Sequence, residues 1–282
     1  MNSRCLRLAR LAALAPIVAG VACAACAAPE AAARGVRLQD LTWIEAEQVL
    51  TPATVVVIPI GAAAKEHGPH LELENDLLLA EYFAARVVER ADVVLAPTIP
   101  YHFYPAFAEY PGSTSLRLET ARDLVVDVVR SLARYGPRRF YALNTGISTV
   151  RALAPAAEVL AQEGILLRYT DLGAALAPIE EELCRQERGS HADESETSMM
   201  LWIAPETVDM SKAAKDASPK GQGGLTRDPN GEGTYSPTGI WGDATLATRE
   251  KGEKLCAALV RVLLADVEAT RAAALPGLRQ SE

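Results

Sequence analysis

The run Thr54–Ile60, reading TVVVIPI, is the feature that most constrains the fold: it is rich in β-branched residues and shows no apolar–polar alternation. A strand of that kind must be buried on both faces, which is the situation in a parallel sheet covered by helices. Pro59 and Gly61 mark its end. Directly behind it comes Lys65–Asp76, KEHGPHLELEND, which holds two of the chain's four histidines among a dense set of charged groups. Open α/β sheets bind ligands beyond the carboxyl ends of their strands, so a site is expected there.

The rest of the chain continues the alternation. A helix is expected over Asp76–Glu89 with Asp76 as its N-cap, then a strand over Asp92–Pro97 and a helix over Thr120–Tyr135 with Leu124, Val125, Val128, Val129 and Leu132 on one face. A strand over Arg139–Asn144 ends in the polar turn NTGIST, followed by a helix over Thr149–Glu163 and a strand over Ile165–Thr170. His191–Ile203 reads as a helix capped by Ser190, and Thr245–Ala274 as the closing helix. Residues 211–243, rich in Gly and Pro, are expected to be one long loop without regular structure, of the kind that binds or covers ligands. The pattern implies one α/β domain over residues 36–275, with a mainly parallel sheet between helices.

A formal charge of -8 and a sequence pI near 5.2 argue against a nucleic-acid partner. Arg4, Arg7 and Arg10 before the apolar stretch Leu11–Ala28 match an export signal over residues 1–33, removed on the way to a periplasmic location. Lipid attachment at Cys23 or Cys26 is the lesser alternative, and an uncleaved anchor would need about 18 apolar residues, which this run barely supplies. After processing no membrane span is expected. Cys184 and Cys256 then remain, and they read as small buried side chains rather than a disulfide.

The chemistry is concentrated in two groups. His67 and Asp76 flank a Gly-Pro turn and offer a neutral nitrogen and an anionic oxygen to a divalent metal, while Glu72 and Glu74 read as solvated turn residues and His70 as a supporting donor or as turn packing. The second group is His191 and Glu196 in SHADESETSMM. Five positions apart, they do not share a helical face, so joint action requires His191 at or before the first turn, where it could serve as a base.

Four separated blocks, GAAAKEHGPHLELEND, YHFYPAFAEYPGSTSLRLETARDLVVDVVRSLARYGPRRFYALNTG, HADESETSMML and TGIWGDATLATREKG, resemble the creatininase family, in order, over about residues 40–262. The resemblance implies a three-layer α/β/α fold, homo-oligomers, and one or two divalent ions hydrolysing a C–N amide bond. It places His67 and Asp76 on metal-ligand positions, Asp76 in the bridging role, and His191 and Glu196 on the proton-transfer residue and its supporting carboxylate. The family Glu falls on Lys65, with Glu66 one residue late, and a family His and Glu fall on Gly146 and Ser148. A reduced site is therefore expected, with zinc, manganese or iron bound once per chain by Glu66, His67 and Asp76, or no metal at all. Lys65 would replace the second cation, and His70, Tyr101, His102, Tyr104 and Trp241 would face a small-molecule amide. Two other readings stay open: a non-catalytic protein binding a small periplasmic ligand, and a metal-free amidase using His191 and Glu196, for which only Ser148 and Ser198 offer a nucleophile.

Overall fold

A computed structural model describes residues 33–277, so the expected export segment falls outside it except for residue 33. Five parallel strands form the central sheet: β1 (Val36–Arg37), β2 (Val55–Ile60), β3 (Val94–Leu95), β4 (Arg139–Asn144) and β5 (Leu166–Tyr169), in the order β1-β3-β2-β4-β5. All six residues of β2 are buried, as the unbroken apolar run requires. Pro59 lies inside β2, opposite Leu143, rather than ending it.

The helices are α1 (Trp43–Val49), α2 (Asn75–Arg90), α3 (Leu118–Ala133), α4 (Val150–Ala161), α5 (Leu172–Leu183), α6 (Glu194–Ile203) and α7 (Arg249–Ala272). Side chains alternate across the sheet. Val55 and Val57 pack with Phe83 and Val87 of α2 and Leu259 and Leu263 of α7, whereas Val56 and Ile58 pack with Val125 and Val129 of α3 and Leu153 and Leu160 of α4. Each such buried aliphatic side chain contributes about 1.5–3 kcal/mol. The result is the expected three-layer α/β/α arrangement.

Strands β2 and β4 are neighbours, but β2 leads through α2 to β3 on one side and β4 leads through α4 to β5 on the other. Their carboxyl ends therefore flank the crevice in which open sheets of this kind bind ligands. Gly61 lets the chain turn there: a Cβ would stand 2.3 Å from the Asp76 carbonyl oxygen, so only glycine allows the end of β2 to approach the first turn of α2 this closely.

Several expectations are corrected. Asp76 is not the N-cap of α2, which begins at Asn75 after Glu74. The helix expected from His191 starts at Glu194, capped by Asp193 through Ser195 N and Glu196 N. Helix α5 was not anticipated, because Gly173 and Pro178 interrupt its pattern. Residues 211–243 are not wholly irregular: they hold the two-residue strands β6 (Lys215–Asp216), β7 (Leu225–Thr226) and β8 (Thr234–Tyr235) and run into β9 (Gly242–Asp243), which pairs with β6. Cys184 and Cys256 are both free; Cys256 is buried as expected, whereas Cys184 is only half-buried. Among the described residues no helix is long and apolar enough to cross a membrane.

Candidate active site

Three segments meet at the carboxyl edge of the sheet: the loop from β2 to α2, the turn after β4, and the start of α6. Lys65, Glu66, His67 and Asp76 are all buried there. His67 Nδ1 donates to the Lys65 carbonyl oxygen at 2.9 Å, which fixes the ring and turns Nε2 toward Asp76 Oδ1 at 2.8 Å and Glu196 Oε1 at 3.4 Å. The other oxygen of Asp76 is 2.7 Å from Lys65 Nζ. Burial and the adjacent Lys65 charge oppose protonation of His67, but Asp76 and Glu196 together outweigh them and hold its pKa up at about 9. Burial likewise resists charge on Asp76, yet Lys65 and His67 keep its pKa below the ordinary carboxylate value.

His191 lies just before α6, and Glu196 in its first turn, which satisfies the geometric requirement for their joint action. Two backbone contacts hold His191 against Trp241, and Phe107 stacks at 4.3 Å between ring centroids. Between His191 and the capping Asp193, Ala192 takes a left-handed conformation, φ 48, which is strained for a residue with a Cβ. His191 Nε2 is 2.8 Å from Glu66 Oε1. Glu196 accepts from Asn75 Nδ2 at 3.0 Å and from Ala192 N at 2.7 Å. Burial raises the cost of its charge, but His67 and His191 overcome that and hold the carboxyl far below its usual range. Glu194, the next buried carboxylate, accepts from the backbone N–H groups of Arg185 and Gln186 and pairs with Lys251 of α7.

The expected metal set is not the one that converges. Glu66 is turned to His191, and Asp76 bridges Lys65 and His67, so Glu66, His67 and Asp76 do not close on one point. His67, His191 and Glu196 do: one potential ligand atom from each lies within 4.8 Å of the other two. These residues fit a divalent ion. Each imidazole has one nitrogen anchored on oxygen, His67 on the Lys65 carbonyl and His191 on Glu66, the usual arrangement around metal-bound histidine. The other nitrogen of His191 faces Glu196 at 3.9 Å, and that of His67 faces both Asp76 and Glu196, so an ion would take the place of the Asp76 contact.

Beside this group is a cavity of about 300 Å³, lined in part by Lys65, Phe107, His191, Glu196, Lys220 and Trp241. That volume is at the small end for ligand pockets. Of the residues expected to face a substrate, Trp241 lines it and the others do not. His70 is buried and bonded to Thr197 Oγ1 at 2.8 Å, Tyr101 is 47% exposed elsewhere, and His102 is enclosed with neither ring nitrogen hydrogen-bonded. Tyr104 is buried behind Gly146. Ser148 bonds the Phe103 carbonyl and Ser198 the Glu194 carbonyl, so neither is poised as a nucleophile. Sequence reasoning missed Asn75 and Phe107, which carry no motif, and the α5 face of Leu172 and Leu176, whose helical spacing was readable once Asp171 is taken as the N-cap.

The family profile for creatinine amidohydrolase matches residues 39–267. The chain belongs to the creatininase family. It is 29% identical over 240 residues to the creatinine amidohydrolase of Pseudomonas putida, spanning 78% of this chain and 92% of that one. It is equally identical, over 220 residues and 76% and 84% of the two chains, to the mycofactocin precursor peptide peptidase of Mycolicibacterium smegmatis. A crystal structure of creatininase superposes with a TM-score of 0.72 at 24% identity, covering 85% of this chain and 99% of that one, and shares its fold. Creatininase structures of the same fold include a manganese form and a mutant of zinc–zinc type.

Proposed function

We propose that this creatininase-family protein hydrolyses an amide or cyclic amide C–N bond of a small molecule, using one divalent ion held by His67, His191 and Glu196. The convergence of those three side chains, two of which (His191 and Glu196) line the neighbouring cavity, carries the reading. The family relationship supplies the reaction class: its relatives include an amidohydrolase and a peptidase.

When bound, the ion would polarise the scissile carbonyl and lower the pKa of a water molecule, for which three protein ligands and an open position suffice. The chain's own groups do the rest. Glu66 orients His191, and Asn75 and the Ala192 N–H orient Glu196, so the donor set is fixed before an ion arrives. Phe107, Leu176, Met199 and Trp241 exclude water and present an apolar surface to a planar amide. Water adds to the carbonyl carbon, the C–N bond breaks, and the nitrogen leaves with a proton that water supplied. The expected part of His191 as proton donor gives way in this reading to a place among the ligands. Zinc, manganese and iron all suit two imidazoles and a carboxylate. Export to the periplasm and assembly as a homo-oligomer belong to the same proposal.

Elemental analysis of the purified protein tests the reading, together with assays of cyclic amides, formamides and short peptides. About one ion per chain, lost in His67→Ala, with hydrolysis abolished in Glu196→Gln, is the expected result. A protein that takes up no ion on reloading and cleaves none of these compounds would instead be a binding protein. The direct contact of His67 with Asp76, which occupies a nitrogen the ion needs, is the observation on that side.

A further inference from the structure

Lys65 is the anomaly of the site. Lys65 is 4% exposed, inside a cluster that also holds His67 and the carboxylates Glu66, Asp76 and Glu196. It approaches Asp76 Oδ2 at 2.7 Å but off the hydrogen-bonding direction, so that oxygen keeps an unused acceptor position. The Phe107 ring beneath Nζ, 4.6 Å away at its centroid, and the Tyr104 ring, 5.6 Å away, complete an aromatic seat for the cation. Asp76 thus bridges two positive groups, the His67 ring by one oxygen and Lys65 by the other.

Across the same space stands Gly146. A Cβ there would meet the Tyr104 ring at 3.2 Å and Thr149 at 3.1 Å, so Tyr104 fills the volume into which a side chain at 146 would extend. Its hydroxyl is buried without a hydrogen-bond partner. The Lys65 half of the site therefore lacks a ligand on the β4 turn, has its remaining room filled by a phenol ring, and already holds a cation. The fold itself accommodates two ions, as the zinc–zinc creatininase shows.

We propose that the Lys65 side chain stands in the place of a second metal ion, seated by Tyr104 and Phe107, and that its ammonium binds the carbonyl oxygen of the substrate from the cavity wall it lines. The site is then half metal and half organic cation. This rests on the reading of the cavity as that of a metal hydrolase, but its test does not depend on turnover. A fixed ammonium near a donor set lowers the affinity for any divalent ion by charge repulsion.

The test compares ions per chain, by elemental analysis after equilibration with zinc, in the full chain and in the triple variant Lys65→Glu, Gly146→His, Tyr104→Ser. The difference is expected to be about one additional ion in the variant. The value for the unaltered protein bears on the proposed function, and the difference bears on Lys65, so the two can fail separately. Should the triple variant not fold, Lys65→Met titrated with zinc by calorimetry gives a second readout, expected to bind at least about tenfold more tightly. Two ions in the unaltered protein, no gain in a folded triple variant, or unchanged zinc affinity in Lys65→Met would each overturn the proposal.

Discussion

Glu66 lies outside the cavity lining and outside the proposed ligand set of His67, His191 and Glu196, yet it sets the orientation of His191. Carboxylates in that position tune ligand basicity and ring angle, and their loss typically costs 10–100-fold in metal affinity. Glu66→Gln is therefore expected to weaken zinc binding by about 10–100-fold in calorimetry, with thermal stability nearly unchanged. His102 makes a different kind of prediction. Burial outweighs the opposing influence of the Ala121 backbone and presses its pKa down to about 4, while in the unfolded chain it titrates near 6.5. Between those values the unfolded chain takes up a proton that the folded one refuses, so stability is complete above pH 6.5 and declines as the pH falls toward 4. His102→Phe should lose on the order of 2–3 kcal/mol less than the unaltered protein between pH 7 and pH 4.5, read from urea denaturation. At this scale the sequence revealed which residues gather, since His67, Asp76, His191 and Glu196 form one cluster. It did not reveal their pairing. Glu66 faces His191 rather than Asp76 because of a loop path, and Gly68 N and His191 fix its two oxygens, contacts that no spacing rule encodes.

Among the elements, α6 does most to build the site. Asp193 caps it by accepting from Ser195 N and Glu196 N, and the strained Ala192 lets the chain leave the Trp241 contact and enter the helix within two residues. Asp193→Ala should cost about 1 kcal/mol of stability, in the range of lost N-caps, and should also weaken zinc binding because Glu196 sits in the turn that the cap orders. Denaturation and calorimetry on the same variant would show both effects, whereas a purely structural cap would move only the first. Elements with a clean period were legible from sequence: β2, β4 and α3 fall within two residues of their expected bounds. Helix α5 was missed because Pro178 and Gly173 mask the spacing of Leu172, Leu176 and Ile179, which is helical. The start of α6 was misplaced because a serine and an aspartate three residues apart are both good caps, and the left-handed turn at Ala192 decides between them.

For the molecule as a whole, the sheet order places the site on a crevice between β2 and β4, while α2 from the first half of the chain and α5 and α6 from the second wall it. This much of the fold was readable, because a buried parallel sheet with alternating helices permits few topologies. The cavity was not, since its walls come from segments more than a hundred residues apart, as Lys65 and Trp241 are. Helix α7 closes the assembly. Lys251 neutralises the fully buried Glu194, which also accepts the backbone N–H groups of residues 185 and 186. Lys251→Met leaves that carboxylate buried and unpaired, so a loss of about 3 kcal/mol is expected from the urea midpoint, larger than at an exposed ion pair. The clasp also has a consequence in time. A chain leaving the ribosome exposes Lys65 and His67 early, but Glu194 gains its counter-charge only when residue 251 emerges. The order of synthesis therefore makes completion of the site an event of the last helix.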